Sequence, residues 1–577
     1  MKYELKNERD KNLSLLLQVL KNRGIQEIEH YLTVDDNDIL EPTLFPSVEQ
    51  GAKIYKKHAE NNSKTFLLVD ADADGYTSSA IIYNYTRRLY PEWVDENWKY
   101  FLHDGKQHGL NDCIKYILSN DFKFVIIPDA GSNDHDEIKM LTDAGMDVLI
   151  MDHHEADKVD ENAIVINNQL CDYPTKSLSG AGVVYKFCQY LDTYLEKDIA
   201  DDFLDLAAIG MVSDMMDLRD FETHRLVEKG LNNIKNPFVL GIVEKNDFSL
   251  KGRLNPHGVS FCISPVVNAV TRVGTLDEKD LLFQAFLENH AYKEIPGNKR
   301  GHKGEMTPLV DEAIRVAGNV RSRQNKVRDS KFEKVVDLIE SGHLTDNKII
   351  AVCQNEITDD ERGITGLIAN QTMAKYKRPV LILSPVKHDD GLLYWDGSGR
   401  NAPNCGLNDL RSFLASTEQV SMAQGHASAF GISIPQDQFD DFIASTNEAL
   451  ADYDFSTTYQ VDAIYSTVDL EASDIISIYK AGDLWTQGIE EPIIAVKDIK
   501  VNKDNVFINE KVLKITNPNG ISFVKFKPTS EELMLFSTLK DSYTIDVVGT
   551  CNYSSFDDTA QIMIADYNLT KNTFWDF

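Results

Sequence analysis

The chain has 577 residues, of which 42% are hydrophobic and 26% are charged. This length exceeds what one hydrophobic core usually holds, so we expect three or four domains. The composition excludes collagen-like and wholly disordered proteins, and no apolar run of about 18 residues predicts a membrane span. The net charge of −32 opposes binding to nucleic acid at long range, so such a function requires locally basic surfaces or bound cations.

The seven cysteines and the N-terminal segment indicate the cellular compartment of the protein. The cysteines are scattered and form no CxxC pair, so they predict neither a disulfide framework nor a zinc ribbon. The first ten residues are too charged for the apolar segment of a signal peptide. We therefore expect a cytoplasmic protein in a reducing environment.

Short apolar runs that end in aspartate dominate the first part of the chain. Residues 12–32 have apolar positions at helical spacing, which Gly24 divides into two short helices. Three strand-like runs follow: residues 65–69 before Asp70, residues 124–128 before Asp129, and residues 148–151 before Asp152. Helix-like sequence separates them, which predicts a parallel sheet covered by helices, with ligands at the carboxyl ends of its strands.

The segment Asp70-Ala71-Asp72-Ala73-Asp74-Gly75 resembles the start of an EF-hand loop. The EF-hand interpretation fails because the twelfth position is Ile81 rather than Glu, and because a strand precedes the segment. In extended backbone alternate residues face the same way, so Asp70, Asp72 and Asp74 could converge. Three converging carboxylates repel one another unless cations lie between them, which indicates a divalent metal.

Three further polar positions follow apolar runs. His153 and His154 come directly after Asp152 and are either structural or bind metal or phosphate. Asp129 is either a metal ligand or a helix cap. Asp214 follows the apolar segment 207–212 and is either a ligand or a surface acid.

A second α/β region begins near residue 349, after a basic segment. Residues 299–334 contain ten basic and five acidic side chains, and Pro308 can open a helix there. The segment is either a solvated spacer helix or a basic strut that faces a phosphate chain.

From residue 456 the sequence has short β-like runs separated by turn residues. They cover residues 493–496, 512–515, 521–526, 545–548 and 562–564, which predicts a small β-barrel. Seven lysines and three acids lie within 497–527, among Phe507, Phe523 and Phe526. This surface is either that of a plain barrel or a face that binds single-stranded nucleic acid.

These motifs, in this order, resemble those of the DHH phosphoesterase superfamily, and within it the RecJ single-strand DNA exonucleases. The four motifs of the catalytic domain correspond to Asp70–Gly75, Asp129–Gly131, Asp152–His154 and Gly210–Asp214. Other matching segments lie outside them: Arg23–Ile25, Ser179–Val183, Pro265–Arg272, Gly363–Ala369, Gly397–Arg400, Gly425–Ala429, Val548–Asn552 and Gln561–Ile564. Departures from the family pattern at Met211, Thr271, Gln424 and Phe430 indicate a divergent member.

The resemblance implies a multidomain α/β fold. Residues 1–290 would form the DHH catalytic domain with its N-terminal helices, and residues 291–344 a long basic connecting helix. Residues 345–455 would form the DHH-associated α/β domain, and residues 456–577 an OB-like nucleic-acid-binding barrel.

The resemblance also implies a site with two divalent ions, Mn²⁺ or Mg²⁺. The implied metal ligands are Asp70, Asp72, Asp74, Asp129, His153 and Asp214. Asp72 and Asp74 would bind different ions, Asp129 would bridge both, and His153 and Asp214 would complete the second. Asp70 would be a ligand or a supporting acid. The implied catalytic residues are Asp72, Asp74, Asp129, His153, His154 and Asp214, of which His154 would contact the phosphate. The implied substrate contacts are His154, Arg272, Ser398, Arg400 and His426.

We therefore expect a metal-dependent exonuclease that degrades single-stranded DNA processively, with 5′→3′ polarity implied by the resemblance, in DNA repair, recombination or replication. One alternative is a phosphoesterase for short oligonucleotides or dinucleotides; another is an inactive replication scaffold that binds single strands. We expect a monomer without a membrane partner, with a helicase or a single-strand-binding protein as candidate partners. The sequence leaves open whether RNA is also cut.

Overall fold

The computed structural model describes residues 1–10, 12–105, 107–250, 253–354, 364–388, 390–403, 406–455, 458–486, 488–539 and 543–571. The chain forms two compact units. The first consists of Met1–Ile28, Arg328–Trp485 and Ile489–Phe577, and the second of Glu29–Val327 with Thr486–Gly488.

The strands are numbered in chain order. Those up to the basic segment are β1 Lys2–Leu5, β2 Thr65–Val69, β3 Trp98–Leu102, β4 Phe124–Pro128, β5 Asp147–Asp152, β6 Ile164–Asn167, β7 Glu294–Pro296 and β8 Met306–Pro308. Those after it are β9 Ile350–Cys353, β10 Val380–Lys387, β11 Leu393–Arg400, β12 Met422–His426, β13 Ala429–Pro435, β14 Thr458–Val461, β15 Ala463–Ser466, β16 Ile493–Val501, β17 Val506–Ile508, β18 Val512–Thr516, β19 Ser522–Phe526, β20 Tyr543–Ser554 and β21 Thr559–Lys571.

The helices are named by their bounds. Those up to residue 291 are Leu15–Asn22, Ile28–Tyr31, Val48–Glu60, Ala73–Leu89, Pro91–Asn97, Ile114–Leu118, His135–Asp143, Gly180–Leu195, Leu204–Ser213, Phe221–Leu231, Pro237–Lys245, Asp247–Leu250, Pro256–Gly258, Ser264–Val273, Leu276–Phe286 and Glu288–Ala291. Those that follow are Leu309–Ser341, Thr365–Tyr376, Leu410–Ala415, Phe439–Ala449, Ala472–Lys480 and Ser530–Ser537. None of the helices in the described ranges is long and apolar enough to cross a membrane.

A parallel five-stranded sheet organises the second unit. Its order is β3-β2-β4-β5-β6, and all four neighbouring pairs are parallel. The three predicted strands are confirmed as β2, β4 and β5, each with its aspartate at the carboxyl end. The strands β3 and β6 were not predicted.

Helices cover both faces of this sheet, as the sequence predicts. Along β2, Leu67 and Val69 belong to one hydrophobic cluster, while Phe66 and Leu68 belong to another. Because successive side chains of a strand point to opposite faces, these two clusters are the cores on the two sides of the sheet. A strand that is buried on both faces has a continuous apolar sequence, and this pattern predicted β2.

A mixed sheet organises residues 350–435 of the first unit. Its order is β12-β13-β11-β10-β9, in which only the β9–β10 pair is parallel. The helix Thr365–Tyr376 lies between β9 and β10 in the chain, as expected for a parallel crossover. The predicted second α/β region is therefore present.

A seven-stranded sheet contains every β-run predicted beyond residue 492. Its order is β15-β16-β20-β21-β19-β18-β17. The pairings of the described residues do not join the edge strands β15 and β17. The OB-like barrel thus stays a prediction, whereas its strands are confirmed.

The N-terminal residues pack in the first unit, which differs from the predicted grouping with the catalytic domain. Leu15 and Val19 belong to the hydrophobic core of the seven-stranded sheet, and β1 pairs with β14. The buried guanidinium of Arg23 donates to both carboxylate oxygens of Asp462 at 2.6 and 3.0 Å. Contacts between residues so far apart in the chain leave no local signal, so the sequence pattern could not predict this grouping.

The basic segment is only partly helical. The helix Leu309–Ser341 is present, but the residues before it form the hairpin β7–β8, with Gly301 and Gly304 at positive φ in its turn. These glycines favour a turn over a helix, so the predicted helix over 291–344 is shorter than expected. The four domain boundaries otherwise stay predictions.

Candidate metal centre

The predicted ligands of the second unit gather at the carboxyl ends of β2, β4 and β5. Their nitrogen and oxygen atoms form three groups, in each of which the atoms lie within 4.8 Å of one another. The groups are Asp70, Asp72 and Asp129; Asp74, His153 and Asp214; and Asp129, Asp152, His153 and His154. Residues from distant parts of the chain thus meet at one edge of the sheet.

Asp72 caps the helix that follows β2. Its Oδ1 accepts hydrogen bonds from the backbone N–H groups of Asp74 and Gly75, at 2.9 and 3.0 Å. A Cβ at Gly75 would lie 2.6 Å from the backbone oxygen of Asp70, so the turn requires glycine there. Burial, followed by the charges of Asp70 and Asp74, raises the pKa of Asp72.

Asp74 is held by the N-terminus of the helix Gly180–Leu195. Its carboxylate accepts hydrogen bonds from Ser179 Oγ at 2.7 Å, Gly180 N at 2.7 Å and Ala181 N at 3.1 Å. The positive end of the helix dipole stabilises a carboxylate in this position. The Asp74 side chain is therefore buried and held in a fixed orientation.

Asp129 has a strained backbone and an unpartnered oxygen. Its φ is 58°, in the left-handed region, and its N–H donates to the Met151 carbonyl at 2.8 Å. The buried Oδ1 has no hydrogen-bond partner among the described residues and lies 3.2 Å from His153 Nε2. Burial and the neighbouring aspartates raise the pKa of Asp129 well above its usual range.

His153 Nε2 faces three carboxylates. It lies 3.2 Å from Asp129, 3.3 Å from Asp214 and 3.9 Å from Asp74, yet it forms no hydrogen bond with a described residue. Burial lowers the pKa of His153, which favours the neutral imidazole that metals bind. Asp214 follows the helix Leu204–Ser213, and burial with the charges of Asp74 and Asp72 raises its pKa to about 8.

Asp152, which begins the third motif but is not among the implied ligands, fixes both histidines that follow it. Its Oδ1 accepts hydrogen bonds from the backbone N–H of His153 at 2.7 Å and from His154 Nδ1 at 2.8 Å. Burial lowers the pKa of His154, but the hydrogen bond and charge of Asp152 outweigh it and raise the value to about 9. His154 is therefore cationic near neutral pH.

The chemistry of this donor set fits divalent cations. Carboxylates with one imidazole suit Mn²⁺ and Mg²⁺, and the unpartnered atoms of Asp70, Asp129 and His153 are the ones that a cation would satisfy. Without a cation, several buried carboxylates would share one pocket at high electrostatic cost.

Two histidines that the sequence interpretation missed flank Asp70. His108 Nδ1 lies 3.0 Å from Asp70 Oδ2, and His103 Nε2 lies 3.7 Å from Asp70 Oδ1. His103 directly follows β3, so the strand-end rule would have found it had β3 been predicted. His108 lies in the next loop and has no recognisable motif.

Arg272 belongs to the helix Ser264–Val273 of the same unit. Burial lowers its pKa, and the charge of Asp72 opposes this shift, so the guanidinium lies within electrostatic range of the cluster. Four residues earlier, Asn268 Oδ1 accepts a hydrogen bond from Ala73 N, beside Asp72. The helix therefore contacts the loop that carries the predicted ligands.

Ser398, Arg400 and His426 lie in the mixed sheet of the first unit. Arg400 on β11 and His426 on β12 both pair in register with Ala429 of the strand between them. Ser398 Oγ lies 3.1 Å from Thr365 Oγ1. These three therefore share one end of a sheet, while Gly363, the first residue of the matching motif, lies outside the described residues.

Comparison with known proteins identifies the family. The sequence model of the DHH family, N-terminal domain, matches residues 64–211. The chain is 33% identical to YorK of the SPbeta prophage in Bacillus subtilis strain 168, whose name assigns it single-strand DNA-specific exonuclease activity. This similarity covers 99% of the chain and 98% of YorK.

More distant similarity extends to RecJ. The single-stranded-DNA-specific exonuclease RecJ of Escherichia coli K12 is 23% identical, over 83% of this chain and 82% of RecJ. The solved structure of RecJ with Mn²⁺ from Thermus thermophilus has a TM-score of 0.71 and 18% identity, over 96% of this chain and 76% of that one. The resemblance seen in the motifs is thereby confirmed: the chain belongs to the DHH superfamily, as a RecJ-like member.

Proposed function

We propose that this protein is a metal-dependent exonuclease that hydrolyses phosphodiester bonds of single-stranded DNA. The observation that carries the proposal is the buried cluster around Asp129 Oδ1 and His153 Nε2, two unpartnered atoms 3.2 Å apart. The activity in the names of YorK and RecJ supports the choice of substrate.

Two divalent ions, Mn²⁺ or Mg²⁺, would be held by the predicted ligands Asp72, Asp74, Asp129, His153 and Asp214, with Asp70 as a ligand or supporting acid. Such ions lower the pKa of a bound water and neutralise charge on phosphoryl oxygens. The protein contributes rigidity, because the N-terminus of the helix Gly180–Leu195 fixes Asp74 and the strand end fixes Asp129.

His154 supplies a cationic donor beside this cluster. Its Nδ1 contacts Asp152 at 2.8 Å, so Nε2 is the ring nitrogen that would contact a phosphoryl oxygen. A charge-assisted hydrogen bond of this kind strengthens as negative charge grows on that oxygen. Arg272 would contribute in the same way from its helix.

Ser398, Arg400 and His426 would bind phosphates further along the strand. The basic residues of 299–334 would contact the phosphates of the DNA strand, and the exposed Phe507 and Phe526 would contact its bases. From the family resemblance we propose 5′→3′ polarity, processive action and a role in DNA repair, recombination or replication.

Substitution of Asp129 tests this function. Asparagine tolerates the left-handed backbone at this position but lacks the charge. We expect Asp129→Asn to reduce Mn²⁺-dependent degradation of a labelled oligonucleotide at least about 100-fold, since even the loss of a residue that only supports a ligand costs about 10–100-fold. The control is Asp143→Asn, an exposed carboxylate that pairs only with Lys139 in the described structure.

Substrates blocked at one end test the polarity. We expect a strand blocked at its 3′ end to be degraded and a strand blocked at its 5′ end to persist.

Undiminished degradation by Asp129→Asn, or full activity in EDTA, would contradict the proposed function.

A further inference from the structure

One phenylalanine in the unit of the metal centre exposes most of its ring. Phe261 is 60% exposed, and the imidazole of His257 packs against it, with ring centroids 4.2 Å apart and 31° between the ring planes. No other ring of a described residue packs against it. Single exposed apolar side chains are common on protein surfaces, so the role of Phe261 depends on its surroundings.

The backbone that carries Phe261 has an unusual conformation. Residues Val259–Ile263 form a π-helical turn, with Phe261 at its centre. Val259 and Ile263 are fully buried in the core on one side of the parallel sheet, so the turn is fixed while the ring between them reaches solvent. π-Helical turns are rare and occur frequently at functional sites.

The turn leads directly into the helix Ser264–Val273, which contacts the loop of the predicted ligands. Ser264 Oγ lies 2.6 Å from the Oγ of Ser213, the residue before the predicted ligand Asp214. A helix rises by about 1.5 Å per residue, so Phe261 lies within about 5 Å of Ser264 along the helix axis. The exposed ring is therefore close to the metal centre.

A guanidinium without an acidic partner lies beside this turn. Arg321 Nη2 donates to the carbonyl of Phe261 at 3.2 Å, and Arg321 forms no ion pair with a described carboxylate. The other arginines of the helix Leu309–Ser341 are all paired: Arg315 with Glu312, Arg323 with Glu278 and Arg328 with Asp329. Because a guanidinium does not lose its proton in proteins, Arg321 offers a permanent positive charge next to the ring.

A nucleotide matches this combination of groups. It offers a flat base to the phenyl ring and a phosphate to the guanidinium, and proteins bind single strands by combining aromatic rings with basic residues in this way. An acidic peptide would pair with Arg321 but leave the ring in water. An apolar peptide would cover the ring and bring no partner for the guanidinium charge.

We propose that Phe261, backed by His257, is a stacking platform for one base of the single strand near the end that is degraded, and that Arg321 binds an adjoining phosphate. The inference rests on the proposed exonuclease function and adds a base contact to the recognition of its substrate. Phe261 lies outside the segments that match the family motifs, so those motifs do not identify it.

Removal of single bases from the substrate tests this platform. The full chain with Mn²⁺ degrades labelled single strands, either intact or with one abasic residue at successive positions from the degraded end, and kcat/KM is measured for release of the first nucleotide. Phe261→Leu keeps an apolar side chain but lacks the flat ring. We expect it to lower kcat/KM on the intact strand about 5- to 150-fold, the usual effect of losing one base stack.

The abasic strands show whether a base is the group that Phe261 contacts. At one abasic position, wild type and Phe261→Leu should be equally slow, because the stacked base is already missing. At the other positions the difference between the two proteins should persist.

Three further variants complete the design. Phe261→Tyr keeps the ring and should retain kcat/KM within about twofold of wild type. Arg321→Gln should slow the degradation of intact and abasic strands by a similar factor, because a phosphate contact does not depend on the base. Tyr292→Leu is the matched control, because Tyr292 is 65% exposed in the same unit, and it should degrade every strand as wild type does.

The results separate this inference from the proposed function. If wild type degrades single strands and Phe261→Leu degrades the intact strand equally well, the platform alone is wrong, and the exposed ring is left for a different partner. If Phe261→Leu slows degradation by the same factor at every abasic position, Phe261 acts through the fold and the platform is also wrong. If wild type does not degrade single strands with Mn²⁺, the proposed function fails, and the platform with it.

Discussion

Neighbouring aspartates in the metal centre have opposite pKa shifts, and their hydrogen bonds explain the difference. Asp152 accepts hydrogen bonds from three backbone N–H groups and an imidazole. Burial raises the pKa of Asp152, but these partners hold it below the usual range. Asp129 has an unpartnered oxygen, and its pKa is raised. When no cation is bound, the carboxyl groups that lack hydrogen-bond donors bind protons instead.

The pH dependence of stability should therefore change when Asp214 is replaced. Its pKa is about 8 in the folded chain and near 4 when unfolded, so the folded state binds more protons between these values. The free energy of unfolding in EDTA should fall as pH rises from about 4 to about 8. We expect Asp214→Asn to reduce this slope, measured by urea unfolding at several pH values.

His153 contributes to the same pH dependence with the opposite sign. Burial lowers the pKa of His153, so its contribution to stability has the opposite sign and is lost as pH falls through the usual histidine range. Because His153 Nε2 lies 3.3 Å from Asp214, the substitution also changes the pKa of His153, and the comparison reports on the two groups together. An identical slope in wild type and Asp214→Asn would show that Asp214 carries no such shift.

At the scale of elements, close packing of helices sets the geometry of the metal centre. A Cβ at Gly180, the first residue of its helix, would lie 2.5 Å from Asp129 Cβ and Oδ1. A Cβ at Gly210 in the helix Leu204–Ser213 would lie 2.2 Å from Asp74 Oδ1. Both helices approach the ligands so closely that only glycine fits at these positions.

We expect Gly180→Ala to disturb the site through this contact. The added methyl group must displace Asp129 or the helix, which should weaken Mn²⁺ binding at least about 10-fold and cost about 1–3 kcal/mol in free energy of unfolding. Calorimetric titration and urea unfolding measure the two effects. Gly318→Ala is the control, because the nearest atom to its Cβ is the flexible end of Lys245 and alanine favours a helix by up to about 1 kcal/mol. Equal Mn²⁺ affinity in Gly180→Ala and wild type would refute the close-packing argument.

At the scale of the whole molecule, the two units have separate hydrophobic cores. The predicted metal ligands all belong to the unit of residues 29–327, whose cores cover the parallel sheet. The seven-stranded sheet and the mixed sheet have cores of their own in the other unit. Metal binding should therefore directly stabilise the unit of residues 29–327.

Hydrogen exchange can localise this effect. Because a ligand protects the segments that it holds together, we expect Mn²⁺ to slow exchange at residues 70–76, 129–132, 152–154 and 179–182, relative to EDTA. Residues 543–571 should change little, and Asp129→Asn should lose the protection. Equal protection throughout the chain would contradict a metal centre confined to one unit.

Much of the fold could be predicted because its signals are local. The runs before Asp70, Asp129 and Asp152 are apolar apart from Thr65, as expected of strands buried on both faces, and the C-terminal strands have turn residues between them. The strand β3 lacked such a run, since its residues after Trp98 are exposed or only partly buried. The hairpin β7–β8 was mistaken for helix because its basic composition suits either structure.

The sequence by itself determined which residues end β2, β4 and β5, and hence the predicted ligands that follow these strands, because a strand and the residue after it are contiguous. Only the tertiary structure decided what surrounds those ligands. Asp74 bonds to Gly180, 106 residues away, and His108 meets both Asp70 and His154. The residues 1–28 likewise join the C-terminal core. These contacts depend on how distant segments pack, and periodicity or spacing within one segment carries no information about that packing.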